Sequence, residues 1–164
     1  EDSMGDSLTI LAEEAMQMEH NFGELYMIFR DAHPEDADFW WRLVIEEGNH
    51  AALIKSGRDY FMPVGVFPEG MFPAMEEMEK ANQELESLLK KYTADPPSRE
   101  VAFNVALKTE MSAGELHFQH TMSRPADSKV LELFQTLNQD DKDHAKRIRD
   151  YMQENQITVQ TSVN

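Results

Sequence analysis

The chain has no cysteine. Without thiols it can form no disulfide and can hold neither an iron–sulfur cluster nor a four-cysteine iron site. A cysteine-free chain suits either redox compartment. Long apolar runs are also missing: none approaches the roughly 18 residues of a membrane-spanning helix, so no membrane partner is expected. No basic segment followed by an apolar core opens the chain, so no secretory leader is read and the expected compartment is the cytoplasm. Basic residues are scarce, 15 Lys and Arg against 31 Asp and Glu, for a formal net charge of −16. Such a surface repels phosphate backbones, which argues against nucleic acid as a partner. It also draws cations towards itself, Fe²⁺ among them.

What remains is helical pattern. The 164 residues, 41% of them hydrophobic, suffice for one domain with a buried core. Leu8, Leu11, Ala15, Phe22, Leu25, Tyr26 and Phe29 recur at helical spacing and predict a first helix over about Asp6 to His33. Pro34 ends it, because the residue before a proline is pushed out of helical geometry. A second helix is expected over about Ala37 to Gly57, with Trp40, Leu43, Glu47, His50 and Leu53 as its inner stripe. The Pro- and Gly-rich stretch from Met62 to Pro73 cannot be regular helix. Ala74 to Tyr92 reads as an amphipathic helix inside a crossover over 58–96. After Asp95-Pro96-Pro97-Ser98 a helix is expected to run unbroken to about Met122, and after Ser123 to Asp127 another from about Ser128 to Glu154. The expected fold is all-α: two antiparallel helical hairpins joined by one long crossover that carries an extra helix, the ferritin-like four-helix bundle arrangement. Residues 1–155 would form this single domain, and 156–164 a C-terminal tail.

The chain also says one thing twice. Glu19-x-x-x-Gly23-Glu24-Leu25-Tyr26 returns as Glu110-x-x-x-Gly114-Glu115-Leu116-His117. Each copy is followed by an acid three residues before a histidine, Glu47 with His50 and Asp141 with His144. Residues three apart share a helix face, so each pair can address one metal ion. Acids are so abundant that such pairs arise by chance, as Glu46 beside Glu47 and Asp140 beside Asp141 illustrate. Geometry is the stronger argument. Two residues of an antiparallel hairpin sit at the same height only when the turn lies midway between them. The midpoint of Glu19 and Glu47 falls at His33, next to Pro34, and that of Glu110 and Asp141 falls at Pro125. Leu133, Phe134 and Leu137 are expected to line the face of Asp141. Glu19, Glu47, His50, Glu110, Asp141 and His144 thus form a six-ligand set of the kind that holds two iron or manganese ions inside a helical bundle. Carboxylates can bridge two divalent ions, and imidazole gives each a nitrogen that suits iron.

With these residues in view, the chain resembles the rubrerythrin-type ferritin-like family from about Leu8 to Ile148. The resemblance lies in Ala15-x-x-x-Glu19-(x)₆-Tyr26, Glu46-Glu47-x-x-His50, Ala106-Leu107-x-x-Glu110 and Asp141-x-x-His144. It implies a non-haem centre of two iron ions, with zinc or manganese as substitutes. It also implies an oxidoreductase of oxidative-stress chemistry, reducing hydrogen peroxide or oxidising Fe²⁺ with peroxide or O₂. The resemblance puts Tyr26 beside the metal ligands; the residues alone allow a core tyrosine with a satisfied hydroxyl. The usual rubredoxin domain is absent, so an external, rubredoxin-like electron donor is expected. Asp141 replaces the usual Glu, and Leu107 and Ala113 stand at the offsets of a further family Glu. In that respect the set looks more like the ferroxidase site of bacterioferritin. His117 takes the place of a second tyrosine. It is read as a seventh ligand, a donor to a ligand, or a buried hydrogen-bonded histidine without a metal role. His20, His33 and His120 are read as surface or turn residues, and Trp41 as the mark of a homodimer interface. Two other readings stay open: an iron-storing ferroxidase without peroxidase turnover, and a non-catalytic helical interaction module.

Overall fold

A computed structural model describes residues 3–138 and 143–160. Among them are seven α-helices and no strand. α1 (Ser3–Ala32) and α2 (Ala37–Ser56) flank one turn of 3₁₀ helix, Pro34–Asp36, and pack along one another. Pro34 starts that turn because its missing N–H has no helical partner to lose there. A π-helical turn, Gly57–Phe61, leads into an irregular connection and then α3 (Met75–Ala94), which lies on α1. α4 (Arg99–Glu110) begins where the Ser98 hydroxyl accepts the Val101 N–H. α5 (Ala113–Ser123) packs on α3 and on α6 (Lys129–Leu137), and α7 (His144–Glu154) packs on α4.

The two halves depart unequally from expectation. The first two helices run as predicted. The helix expected unbroken to Met122 ends at Glu110, and Ser112 turns extended before α5 starts. Ser-Ala-Gly is a weak helical run, since serine favours caps and glycine costs about 1 kcal/mol against alanine. The last predicted helix is likewise in two pieces. It stops at Asn138, and Asp143 sits left-handed (φ 63°) just before α7. After glycine, Asn and Asp are the residue types that adopt left-handed geometry most readily. Leu133 and Leu137, expected on an inner face, are exposed; Phe134 of that trio is buried.

The core has two main parts. Phe22, Tyr26, Phe29, Trp40, Phe103 and Ile148 fill one. Trp40 is its hub, with ring centroids 5.6 Å from Tyr26, 5.1 Å from Phe29 and 4.5 Å from Phe103. Phe67, Met71, Phe118, Met122 and Phe134 fill the other. Gly57 is needed there: a β-carbon on it would come within 2.5 Å of the Phe67 ring. Polar ties set the register. Asp36, fully buried, accepts from Arg99 Nε and Nη2 at 2.7 and 2.6 Å and from the Tyr151 hydroxyl at 2.7 Å, joining the first turn to α4 and α7. Asn82 of α3 accepts from Asn21 and donates to Glu14, both on α1. No helix among the described residues is long and apolar enough to cross a membrane.

Candidate metal centre

Five of the six predicted ligands meet between the two cores. Glu19 comes from α1, Glu47 and His50 from α2, Glu110 from the end of α4 and His144 from the start of α7. All five are at most 2% exposed. They form two groups that could hold a metal ion, Glu19–Glu47–His50 and Glu47–Glu110–His144. Glu47 belongs to both. Its Oε2 lies 3.5 Å from His50 Nδ1 and its Oε1 lies 3.0 Å from His144 Nδ1. Glu19 Oε2 stands 3.4 Å from His50 Nδ1, and Glu110 Oε1 stands 3.4 Å from His144 Nδ1. The two imidazoles lie near-parallel, 12° apart with centroids 5.6 Å apart. One carboxylate therefore spans two histidines, each with a further carboxylate of its own.

Most of the donor atoms lack partners. Glu19 Oε2, both oxygens of Glu47, both nitrogens of His50 and Glu110 Oε2 are buried without a hydrogen bond among the described residues. Buried polar groups are almost always paired, and unpaired ones carry a desolvation cost of about 1–3 kcal/mol each or more. So many converging in one place suit a cation. The charge state says the same. Burial, then the charge of Glu47, pushes Glu19 well above the usual carboxylate range, and the same two causes raise Glu110. Burial would raise Glu47 too, but the neighbouring Glu19 carboxyl and the His144 and His50 imidazoles outweigh it and hold Glu47 well below. Burial would lower both histidines, and the surrounding carboxylates overcome it and raise them well above the usual range. Without metal, protons are thus retained where divalent cations would otherwise balance the carboxylates.

No family model, curated protein or solved structure matches the chain. The site must then be judged on its own residues.

Tyr26 lies beside Glu110. Fully buried on α1, its hydroxyl donates to Glu110 Oε1 across the core. His117 is not brought to the centre by any hydrogen bond or ion pair among the described residues. It is half-buried, and its Nε2–H donates to the Gly70 carbonyl at 2.8 Å in the connection before α3. The break at Met111–Ser112 re-aims everything after it, so the two-turn offset from Glu110 no longer keeps His117 on the ligand face. Asp141 lies outside the described residues. His20 and His120 are exposed, and His33 meets the Pro97 carbonyl at 2.8 Å. Trp41 is exposed, with the Arg30 guanidinium 4.7 Å above its ring.

One residue was missed. Glu46 is buried, takes two contacts from Arg147 Nη1 at 2.8 and 2.6 Å, and approaches His144 Nε2 at 3.1 Å. Its signal was in the sequence: it stands three after Leu43 and four before His50, a spacing that reaches the same inner face. Reading it as one more acid in a charge run concealed that.

Proposed function

We propose that the chain is a ferritin-like di-iron oxidoreductase of the rubrerythrin type, which reduces hydrogen peroxide or oxidises ferrous iron. The observation that carries this reading is the sharing of Glu47 between two buried carboxylate–histidine groups, most of whose donor atoms lack partners. Carboxylate oxygens with one nitrogen per position suit iron, with zinc and manganese as substitutes. Glu19, Glu47 and His50 would hold one ion and Glu47, Glu110 and His144 the other, with Asp141 expected to complete the second. When bound, the pair of irons supplies the two electrons that cleaving an O–O bond requires.

The chain's own contribution is positional. Glu47 keeps the two positions together. Tyr26 holds a proton at its hydroxyl and occupies Glu110 Oε1, which leaves Glu110 Oε2 unpaired and available to a metal. Phe118, its ring 4.7 Å from that of His50, and Phe22 and Trp40, packed on Tyr26, are buried and keep bulk water away. With no cysteine, the chain has no thiolate-bound iron of its own, so electrons would come from an external, rubredoxin-like donor.

A storage-type ferroxidase is the second reading. Buried Leu107, where the resemblance would allow a further Glu, and the −16 charge, which draws Fe²⁺ towards the surface, favour it. Anaerobically Fe²⁺-loaded protein, mixed rapidly with H₂O₂ and separately with O₂, distinguishes them. Faster oxidation by H₂O₂, with turnover restored by added rubredoxin and its reductase, is expected. Faster reaction with O₂ and growth of a mineral would favour storage. Full loading with neither oxidation would leave a non-catalytic module.

A further inference from the structure

We propose that Glu46 is a positioning residue: clamped by Arg147, its carboxylate orients the His144 ring so that Nε2 carries the proton and Nδ1 faces the metal position formed with Glu47 and Glu110. The inference rests on the metal-site reading above and adds a residue to it.

The two edges of the His144 ring meet carboxylates of different kinds. At Nδ1 stand Glu47 Oε1 and Glu110 Oε1, at 3.0 and 3.4 Å; both Glu47 oxygens are unpaired, Glu110 Oε1 takes the Tyr26 hydroxyl, and among the described residues no Lys or Arg pairs with either acid. At Nε2 stands Glu46 at 3.1 Å, whose oxygens already have Arg147 Nη1 at 2.8 and 2.6 Å and Arg42 Nε at 3.5 Å. Glu46 is 4% exposed, so its charge needs that partner. An acid neutralised by a guanidinium is a poor cation ligand and a good directional acceptor. The Nε2 contact lacks full hydrogen-bond alignment, so the ring has room to settle once Nδ1 is engaged.

Sequence delivers both halves of the device. His144 and Arg147 are three apart on the first turn of α7 and share a face. Glu46 meets both from α2, immediately before the shared ligand Glu47. One helix turn thus presents a ligand and the clamp on that ligand's acceptor. His50 has no matching arrangement among the described residues: its Nε2 is buried and unpaired, against Phe118. A carboxylate on the far nitrogen of a metal-bound histidine sets its tautomer, and losing it typically costs about 10–100-fold in metal affinity.

The test uses Zn²⁺ alone as a diamagnetic probe, with chelator competition for affinity and two-bond ¹H–¹⁵N correlation on histidine-labelled protein for the tautomer. In the wild type, His144 is expected with Nε2 protonated and Nδ1 bound. Glu46→Leu combined with Arg147→Met removes acid and clamp together, so that no buried charge is stranded and the fold is kept. It should bind one of two Zn²⁺ about 10–100-fold more weakly, with the His144 proton divided between its nitrogens. Glu46→Gln keeps an acceptor oxygen and should lose less than the double variant. Unchanged affinity and an unchanged Nε2–H in a folded double variant would overturn the role of Glu46 while leaving the metal site standing. Equal loss in Glu46→Gln, or a wild-type His144 bound through Nε2, would also overturn it. A wild type that takes up no Zn²⁺ at all would remove the metal-site reading, and this inference with it.

Discussion

The α1–α2 pair and the α4–α7 set carry copies of the same motif and fold differently around it. α1 and α2 are continuous helices of 30 and 20 residues, and Glu19, Glu47 and His50 lie well inside them. The second copy is delivered by four pieces of 9 to 12 residues. Its two described ligands sit at helix ends, Glu110 as the last residue of α4 and His144 as the first of α7. Residues inside a long helix are held by hydrogen bonds on both sides, whereas helix ends have unpaired backbone groups and open more easily. A repeated motif, then, specifies which residues meet at the centre without specifying equal rigidity on its two sides. The first pair is the rigid half, and it also owns Glu47, the residue both metal positions share.

The largest stability difference should follow the core. Trp40→Ala removes a fully buried ring that packs on Tyr26, Phe29, Phe39 and Phe103, and should cost about 3–5 kcal/mol in chemical denaturation. Leu137→Ala, at a 58% exposed position of the second set, should stay within about 0.5 kcal/mol. Similar losses at the two positions would break the contrast. A smaller effect concerns the break before α7. Asp143 has φ 63°, so Asp143→Val should lose about 1–2 kcal/mol in the metal-free protein while Asp143→Gly loses none. Equal tolerance of both would mean that the left-handed link is not a constraint on the second set.

Much of this was legible in the sequence, for reasons that also mark the limit. Pro34 gives an unambiguous stop, so the α1–α2 turn and the level of Glu19 with Glu47 and His50 could be read directly. Glu110 and His144 were legible because each lies next to, and not beyond, a break. His117 lies beyond one, and helical spacing fails across it. The breaks themselves escaped because Ser112 and Asn138 are tolerated inside helices, and apolar periodicity does not register a short change of direction. Glu46 escaped because an acid's identity does not tell whether it meets water or Arg147. Asp141 falls outside the described residues.

The smallest effect joins the two halves. Burial and the Asp36 carboxylate raise the Tyr151 hydroxyl to about 12. An ordinary tyrosine titrates near 10, so the folded state holds this proton more tightly than the unfolded chain. The resulting stability is complete below pH ~10 and is lost as pH climbs towards the folded-state value. Tyr151→Phe should flatten that alkaline decline in thermal melts. An identical slope in wild type and variant would show that the Asp36 junction contributes nothing there.

The most direct test is metal stoichiometry by elemental analysis after anaerobic Fe²⁺ loading and desalting. About two ions are expected per wild-type chain, close to none for Glu47→Ala, and about one for Glu110→Ala, in proteins of unchanged helical content. Normal loading of Glu47→Ala, or a wild-type chain that retains no metal, would contradict this.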